Sequence, residues 1–348
     1  MKTAVVILNW NTERYLRAFL PALVASCPED AEVIVADSGS ADGSLEFLSR
    51  EFPGLRTIAL GSNYGFTGGY NRALAQVEAE YYLLVNSDIM VSPGWLEPLV
   101  EYMDTHPRCG ICGPKLHALL PHGDGWTRTD IFEYAGAAGG RIDRYGYPFC
   151  RGRVLKRTEP DRGQYDRASG ILWVSGACLL TRSSLWRDLG GLDGRFFAHM
   201  EEIDYCWRAQ LRGYTVDVIP QSTVWHLGGG TLAPDSPWKL ELNYRNNLLL
   251  LDNNLPSTIG RRKAYRRIRF RMFLDGVSAL IYLFSFRPAC FRAVWRAHKG
   301  YRKLRSPERN DKVSVAGVDG YFEINIILQS LLRGGGIFTY LRRYEDSY

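Results

Sequence analysis

The sequence predicts an α/β fold in which a mostly parallel central sheet is flanked by helices, and three observations support it. Apolar runs suited to buried strands, VVILN, VIVA and YYLLV, recur in the first quarter of the chain. Segments with apolar residues at helical spacing separate them, as in TERYLRAFLPALVAS. Polar residues end the three runs, at Asn9–Asn11, at Asp37 and at Asp88. Because parallel strands place ligand sites at their carboxyl ends, these side chains are predicted to share a site.

The remaining elements follow in order along the chain. After Asp37, SLEFL indicates a helix and LRTIAL a short strand. The glycine-rich GSNYGFTGGYN leads into another helix, RALAQVEAE, directly before the strand that ends near Asp88. Between about residues 115 and 170, the Gly-, Tyr- and Arg-rich sequence indicates a small antiparallel excursion or flexible loops. Regular elements return with ILWVSGACLLTRSSLWRDLGG, and beyond Tyr244 the chain is predicted to be helical and basic.

Length and composition are typical of a globular protein, with 348 residues of which 46% are apolar and 23% charged. We expect one large core, or a core with an appended subdomain. The start, MKTAVVILNW, runs into strand-like sequence and lacks the features of a signal peptide. The longest apolar stretch, 272–286, contains Asp275 and is shorter than the ~20 residues of a membrane span. Seven cysteines without framework spacing favour a reducing cytoplasm.

Positive charge is concentrated between residues 261 and 305. Fourteen Lys or Arg face a single acid there, so the segment carries +13 while the rest of a chain of net charge +6 carries −7. A solvated helix face is one interpretation, and a nucleic-acid surface is another that no recognisable motif supports. Because the charges flank the apolar stretch 272–286, with Trp295 and Tyr301 nearby, we favour the anionic face of a membrane.

Motifs of three other protein classes are missing or weak. The first strand is followed by NWNT and not by the G-x-G-x-x-G of dinucleotide-binding enzymes, and a P-loop is absent. The segment CGIC (109–112), near His106 and His117, has the residue types of a zinc site. Its small and apolar residues are more typical of a buried strand, so we predict core cysteines.

The segment HMEEIDYCWRAQLRGY (199–214) is predicted to be a helix with an apolar face. At 100° per residue, Glu202 and Asp204 lie on opposite flanks of that face, and Glu201 lies on the polar side beside two arginines. The three acids therefore cannot share one role, and capping of the helix N-terminus is the alternative to a catalytic role. His226 ends the apolar strand VWH, where a structural role is also open.

In this order the motifs resemble the inverting family 2 glycosyltransferases of the GT-A fold, most closely their bacterial rhamnosyltransferase-like branch. The resemblance covers roughly residues 3–250, the expected catalytic domain, with a nucleotide-binding part of about 1–115 and an acceptor part of about 116–250. The basic remainder, 251–348, resembles the helical, membrane-associating tails of such enzymes. The matching stretches are VVILNWN, VIVADSGSADGS, NYGFTGGYN, LLVNSDIMV, SGACLLTRSSLWRDLGGLDGRFFAHMEEIDYCWRAQLRGY and YRNNLLLL.

The resemblance implies a divalent cation, Mg²⁺ or Mn²⁺, that neutralises the leaving diphosphate. The family places Asp-x-Asp at the end of a buried strand, whereas this chain has Asn86-Ser87-Asp88. Asp88 is then the expected metal ligand, and Asn86 is confined to hydrogen bonds with the sugar or ribose. His226 matches the position of a second protein ligand. Diphosphate oxygens and water would complete the coordination.

The resemblance also assigns the nucleotide-sugar donor to the polar strand ends. Asp37 matches the acid that hydrogen-bonds a pyrimidine base, and glycines of NYGFTGGYN permit close approach of the backbone to the donor. The candidate donor-binding residues are Asn9, Trp10, Asn11, Asp37, Asn63, Gly65, Asn71 and Asn86.

Inverting transfer needs one base that takes the proton of the acceptor hydroxyl. The family's catalytic acid is the second residue of an acidic pair at a helix start, which is Glu202 here, with Glu201 as the alternate. The implied donor is dTDP-L-rhamnose, with galactofuranosyl, glucosyl or N-acetylhexosaminyl donors as alternatives. The implied acceptor is a hydroxyl of a cell-envelope or exopolysaccharide glycan, either free or lipid-linked.

Two other functions are open on the sequence. A nucleotidyltransferase has a similar sheet but needs a basic glycine-rich loop after the first strand, which NWNT does not provide. An inert membrane-bound scaffold would be favoured by loss of Asp88, Glu201 and Glu202, and all three are present. We therefore expect a cytoplasmic enzyme, peripheral on the inner face of the cell membrane, that does not bind nucleic acid.

Overall fold

The computed structural model describes residues 1–228, 236–306 and 317–347. Its first elements alternate between strands and helices, as the sequence predicts. They are β1 (Thr3–Asn9), α1 (Glu13–Ala25), β2 (Ala31–Asp37), α2 (Ser44–Glu51), β3 (Arg56–Ala59), α3 (Gly65–Leu74), β4 (Tyr81–Asn86), β5 (Ile89–Met90) and α4 (Glu97–Thr105).

The middle of the chain is rich in strands. It contains β6 (Cys109–His122), β7 (Gly125–Phe132), β8 (Gly140–Asp143), β9 (Pro148–Cys150), β10 (Arg153–Val154), β11 (Arg157–Thr158), β12 (Ser169–Gly170), β13 (Cys178–Arg182), α5 (Ser183–Asp188), α6 (Glu201–Leu211) and β14 (Thr215–His226).

The C-terminal part is largely helical, as predicted, but the described residues also include a short strand. Its elements are α7 (Pro237–Ile259), α8 (Arg261–Phe284), α9 (Pro288–Leu304), β15 (Tyr321–Phe322), α10 (Ile326–Arg333), a 3₁₀ turn (Gly334–Gly336) and α11 (Ile337–Asp346).

A central sheet of ten strands organises the described part of the chain. Its order is β12-β14-β6-β13-β4-β1-β2-β3, with β5 beside β14 and β7 beside β6. Strands β4, β1, β2 and β3 run parallel, whereas β13 runs antiparallel to both β4 and β6. The predicted α/β fold is confirmed, and the sheet is mixed because β13 enters its middle in the opposite direction.

Burial on both faces explains the unbroken apolar sequence of β1. Val6 packs into a core that it shares with Leu84 of β4. Val5 and Ile7 point to the opposite face, where they share a second core with Leu20 of α1. Helices therefore cover both faces, and the polar residues that follow the strands lie at an edge of these cores.

A second sheet forms where the sequence predicts an antiparallel excursion or loops. Its order is β11-β10-β9-β8-β15, so the C-terminal strand β15 pairs with β8 from the middle of the chain. Phe149 of β9, Phe322 of β15 and Phe338 of α11 share its core. The predicted helical C-terminal region is confirmed among the described residues, with β15 as a short additional strand that contributes Phe322 to this core.

Both predicted domain boundaries fall inside regular elements. Residues 115 and 116 lie within β6, and residues 250 and 251 lie within α7. Helix α7 packs against α6, α8 and α9, so a cut at residue 250 would divide a helix that joins the two predicted parts. The segment CGIC is confirmed as core sequence, since Cys109 and Cys112 are buried in β6.

Helix α6 packs its acidic side against α7. Asp204 is fully buried and accepts hydrogen bonds from Asn253 at 2.6 Å, Asn254 at 2.8 Å and Arg208 at 2.6 Å. Glu201 is also buried, whereas helical spacing places it on the polar side of α6. That expectation was wrong because helical spacing describes one helix alone and does not show which other segments of the protein pack against it.

The described part of the chain contains no helix that is both long and apolar enough to cross a membrane.

The first prediction concerns stability. Replacing Asp204 by alanine should lower the free energy of unfolding by about 3–5 kcal/mol, because Arg208 and two amides lose their shared acceptor in a buried site. Urea denaturation monitored by circular dichroism measures this change.

The matched control is Glu51→Ala, which breaks an ion pair with Arg50 at the surface. Exposed pairs contribute about 0–1 kcal/mol, so this variant should remain near wild type. Equal losses in the two variants would contradict the role assigned to the Asp204 network.

Candidate active site

The ends of β1 and β2 form a small polar cluster. Asn9 and Asp37 are register partners, and the Asn9 amide donates to Asp37 Oδ2 at 2.7 Å. The other oxygen of Asp37 accepts the backbone N–H groups of Gly39 at 3.0 Å and Ser40 at 2.9 Å. Asp37 is buried and thereby shapes its own loop. A nucleotide base could contact this loop without displacing the Asp37 carboxylate from its hydrogen-bond partners.

The loop after β2 also fixes the conformation of the residues that follow β1. Asn11 adopts a left-handed conformation with φ of 54°. Its N–H donates to Ser40 Oγ at 2.9 Å, and its side-chain oxygen accepts the N–H of Ala41 at 2.7 Å. Trp10, between Asn9 and Asn11, keeps 39% of its surface exposed. The Trp10 ring is therefore the accessible part of this strand end.

The glycine-rich segment approaches the loop that precedes α6. Gly65 has a φ of 71°, and a Cβ there would lie 2.6 Å from the ring and from the carbonyl oxygen of Phe197. The side-chain oxygen of Asn63 accepts the N–H of Gly65 at 2.8 Å, which closes the turn. A side chain at position 65 would separate α3 from the Phe197 loop.

Asn71 holds the same two regions together from the other side of α3. Its amide donates to the carbonyl of Leu192 at 2.8 Å, and its oxygen accepts the Leu192 N–H at 3.0 Å. Both groups of this side chain are therefore engaged with the protein. Of the predicted donor residues, Asn63 and Asn71 have evident roles in local structure.

Three charged or polar side chains meet beyond β4. The Nε2 atom of His226 lies 3.2 Å from Asp88 Oδ1 and 3.5 Å from the Asn86 amide nitrogen. The pairing of β5 with β14 brings them together, since Ile89 opposes His226 in the sheet. On the other side of the ring, Nδ1 lies 3.5 Å from Glu133 Oε1. The imidazole is thus enclosed between two carboxylates.

This enclosure sets the charges. Burial alone favours the neutral acid at Asp88, but His226 outweighs that effect and the pKa of Asp88 lies below its usual value. Burial also opposes a charged imidazole, yet Asp88 and Glu133 raise the pKa of His226 well above its usual value. The two carboxyl groups on either side of the ring therefore favour the protonated form of His226.

The donor set suits a divalent cation that also binds phosphate. Asp88 supplies a hard oxygen and His226 a nitrogen, and these atoms converge. Glu133, at the far ring nitrogen, is placed as the acceptor that metal-bound histidines commonly have. Among the described residues, no group of three or more His, Cys, Asp or Glu converges as a metal site made by protein alone. Additional ligands would have to come from a substrate.

An unusual loop leads into α6. Three residues that are not glycine, Phe197, His199 and Met200, adopt left-handed conformations with φ of 65°, 71° and 73°. Such conformations cost on the order of 1–3 kcal/mol each and persist where surrounding contacts impose them. Asn246 of α7 imposes these, because its buried amide donates to the carbonyl oxygens of Phe196 at 2.9 Å, Ala198 at 2.8 Å and His199 at 2.8 Å.

The two glutamates at the start of α6 differ in accessibility. Glu201 is buried, and burial together with its neighbour Glu202 raises the pKa of Glu201 well above its usual value. Glu202 is partly exposed, and burial of its carboxyl group raises the pKa of Glu202 to about 7. One oxygen of each group is buried without a hydrogen-bond partner within the described residues. A carboxyl group that titrates near neutrality suits proton transfer, so Glu202 is the better candidate base.

Glu202 lies close to the end of β4. A Cβ on Gly176 would lie 3.6 Å from Glu202 Cβ. The next residue, Ala177, accepts the N–H of Asn86 at 2.9 Å. The segment around Gly176 therefore joins the candidate base to the strand end that carries Asn86 and Asp88.

Sequence reasoning did not single out Glu133, Asn246 or Gly176. Asn246 stands in the stretch YRNN, where an amide pair in an otherwise apolar helix is a signal of a buried polar contact. Gly176 stands in SGAC, a run of small residues before a strand. Glu133 follows β7 in irregular sequence and has no such signal, because the fold alone brings it to His226.

Comparison with known proteins agrees with this architecture. The family model described as "Glycosyl transferase family 2" matches residues 4–162. An N-acetylglucosaminyl-diphospho-decaprenol L-rhamnosyltransferase of Mycobacterium tuberculosis is 25% identical over 79% of this chain and 90% of its own. Rhamnosyltransferase WbbL of Escherichia coli is 23% identical over 62% of this chain and 80% of its own.

Two solved structures share the fold. GalNAc-T7 with UDP, GalNAc and Mn²⁺ superposes with a TM-score of 0.54 and 15% identity over 73% of this chain, and S. aureus TarS with 0.52 and 18% over 86%. The match spans about half of each of those chains, 48% and 49% respectively. The family model thus identifies residues 4–162 as a glycosyl transferase family 2 domain, the rhamnosyltransferase relatives agree with it, and the solved structures show that the chain has the GT-A fold.

Proposed function

We propose that this glycosyltransferase is an inverting enzyme in which Glu202 is the catalytic base. The observation that carries the proposal is the carboxyl group of Glu202, whose pKa burial raises to about 7, next to the strand end that bears Asn86 and Asp88. A base with a pKa near the working pH combines the ionised form with a useful affinity for a proton.

The reaction follows from that placement. The acceptor hydroxyl oxygen attacks the anomeric carbon from the face opposite the diphosphate and forms the new C–O bond. Its proton passes to the Glu202 carboxylate. The bond between the anomeric carbon and the phosphate oxygen breaks, and the nucleoside diphosphate leaves with the electron pair. A single displacement of this kind inverts the anomeric centre.

The nucleotide-sugar donor would lie along the strand ends. In this proposal Asp37 and the exposed ring of Trp10 face the nucleotide base of the donor. The turn at Gly65 approaches the diphosphate or the sugar. Asn63 and Asn71 would act through the backbone that they hold. The complete proposed set is Asn9, Trp10, Asn11, Asp37, Asn63, Gly65, Asn71 and Asn86.

Asp88 and His226 would hold a Mg²⁺ or Mn²⁺ ion, with Glu133 behind the histidine. Such a cation neutralises the leaving diphosphate. The Mn²⁺ and UDP in the GalNAc-T7 structure support a divalent cation and a nucleotide donor in this fold.

The proposed donor is dTDP-L-rhamnose, which the two rhamnosyltransferase relatives support by their names. Other hexosyl or galactofuranosyl donors are the alternative. The proposed acceptor is a cell-envelope or exopolysaccharide glycan. The name of the mycobacterial relative contains a diphospho-decaprenol acceptor, which supports a lipid-linked one.

We also propose that residues 261–305 contact the anionic inner face of the cell membrane. These residues form α8 and α9, and part of their positive charge is already paired within the protein. Arg271 pairs with Asp275 in the interior of the hairpin at 2.8 Å. The outer residues include Phe273, 64% exposed, and Trp295, 69% exposed. Aromatic side chains among exposed arginines suit a peripheral membrane surface.

The central prediction is donor turnover that requires Glu202. The wild-type enzyme should release free nucleoside diphosphate from one member of a panel of sugar nucleotides, with an acceptor glycan present. Glu202→Gln should lower that rate by about 10²–10⁴-fold, because removing a general base typically costs that much. A coupled assay for the diphosphate measures the rate, and calorimetry should show nearly unchanged donor binding.

Glu201→Gln is the matched control, since it makes the same change in the neighbouring acid, which is buried and therefore less accessible to an acceptor. It should keep most of the activity. An inactive Glu201→Gln beside a normal Glu202→Gln would transfer the catalytic role to Glu201, and no release from any donor would refute the reaction.

A further prediction concerns pH. Because burial raises the pKa of Glu202 to about 7, the base is protonated below that pH and ionised above it. The value of kcat/KM should therefore rise with pH through about 7 and then level off, at saturating Mg²⁺ or Mn²⁺. Burial lowers the pKa of His199 to about 4, so that neighbour does not account for the rise. A profile that is flat across neutrality would contradict the assignment.

The metal proposal has its own test. A chelator should abolish transfer, and Mg²⁺ or Mn²⁺ should restore it. Asp88→Ala should lose activity while remaining folded, which circular dichroism checks, although it should be less stable because the buried His226 loses its partner. Glu78→Ala removes an exposed acid and should behave as wild type. Full activity in excess chelator would show that transfer does not depend on Asp88 as a metal ligand.

A further inference from the structure

A groove between α8 and α9 combines an apolar floor with a cluster of arginines. Its volume is about 300 Å³. Ile268 and Tyr301, both buried, and Met272 form the apolar lining. Arg269, Arg302 and Arg305 stand at its rim. This combination matches a ligand that is anionic at one end and apolar at the other.

The positive charge of the rim is largely uncompensated. Asp252 of α7 lies 4.0 Å from Arg305. Among the described residues, neither Arg269 nor Arg302 has a carboxylate within 4.0 Å, and both are exposed. Three guanidinium groups against one carboxylate leave an excess of positive charge. Guanidinium groups bind phosphate oxygens in a bidentate manner, so a phosphate is the complementary anion.

An exposed apolar stripe runs along α8 from the position of Arg269, at the rim of the groove. Phe273, Val277, Leu280 and Phe284 follow Arg269 at intervals of three or four residues and therefore lie on one face of the helix. All four are exposed, and Phe284 keeps 78% of its surface accessible. This stripe extends for about 17 Å at 1.5 Å per residue, a length suited to a hydrocarbon chain.

The arginine end of the groove contacts the loop that leads to the candidate base. Arg195 donates to the carbonyl oxygen of Leu304 at 3.3 Å, next to Arg305. Arg195 directly precedes the loop that Asn246 holds and that ends at α6. A ligand whose phosphate lies at Arg302 and Arg305 would therefore be anchored beside the acceptor side of the active site.

We propose that the groove between α8 and α9 binds a lipid phosphate, with its phosphate or diphosphate at Arg269, Arg302 and Arg305 and its hydrocarbon along α8. The proposal rests on the proposed glycosyl transfer for its purpose, because such a lipid would be the carrier of the acceptor glycan. It adds a site outside the catalytic residues. It also distinguishes a defined pocket from general attraction to an anionic surface.

Vesicle sedimentation of the full-length protein tests the site. Three vesicles are compared: phosphatidylcholine alone, phosphatidylcholine with phosphatidylglycerol, and phosphatidylcholine with a polyprenyl phosphate at matched surface charge. The wild-type protein should bind the polyprenyl phosphate vesicles at least about fivefold more tightly than the phosphatidylglycerol vesicles, because the rim arginines add contacts beyond surface attraction.

Two triple variants separate the groove from its surroundings. Arg269→Gln/Arg302→Gln/Arg305→Gln should lose the preference for polyprenyl phosphate. The control removes the same charge at exposed positions outside the groove lining and should keep the preference, with weaker binding to both anionic vesicles. It consists of Arg262→Gln/Arg266→Gln/Lys299→Gln.

Three outcomes would overturn the proposal. Equal binding to the two anionic vesicles, or equal loss of preference in both triple variants, would leave only general electrostatic attraction. Inorganic pyrophosphate that binds as tightly as the lipid would indicate a site for a free anion. A concentration-dependent dimer that the groove variant abolishes would assign the groove to a second copy of the chain.

The binding test is independent of turnover. Glu202→Gln should bind the polyprenyl phosphate vesicles as the wild type does, since binding requires no proton transfer. If no sugar transfer were found but the preference for polyprenyl phosphate vesicles remained, the groove would still be assigned as a lipid phosphate site. Loss of the preference with intact transfer to a soluble acceptor would remove the groove alone.

Discussion

The arrangement of this active site depends on the hydrogen bonds of one buried amide. Asn246 holds the carbonyl groups of a loop that contains three left-handed residues, and that loop delivers Glu202 to the site. The same loop places Phe197 against Gly65, so the position of Gly65 at the start of α3 depends on the loop before α6. Without the amide, the carbonyl groups would be buried without partners and the strained conformations would relax. One helix thus fixes both sides of the candidate donor pocket.

The site also keeps carboxyl groups in two different protonation regimes. His226 lies beside Asp88 and lowers the pKa of that carboxyl group, and Glu133 lies at the other ring nitrogen of the histidine. Burial raises the pKa of Glu202 to about 7, and burial beside Glu202 raises the pKa of Glu201 above its usual value. A cation site needs permanent negative charge, whereas a base must release its proton under the same conditions. Separate environments for similar groups allow one protein to do both at one pH.

The sequence predicts the parts of this site that strands carry and misses those that depend on packing. Asn9, Asp37 and Asn86 follow continuous apolar runs, and parallel pairing necessarily brings such strand ends together. The burial of Glu201 could not be predicted, because it depends on how α6 packs within the folded chain. Glu133 reaches His226 only through the fold of an irregular segment. The donor contacts themselves are still predictions, since they concern a ligand.

The helical hairpin of α8 and α9 is joined to the catalytic part through polar contacts at its base. Arg195 binds the end of α9, and Arg245 of α7 donates to the carbonyl oxygens of Arg195 and Phe196 at 3.3 Å and 2.9 Å. The loop before α6 is therefore held by α7 and α9 together. Peripheral binding to a membrane increases with the buried apolar area and with electrostatic attraction to anionic lipids. The hairpin offers both apolar and positively charged surface, and it contacts the loop before α6 through Arg195. In the proposed complex it would therefore hold a membrane-bound acceptor close to Glu202.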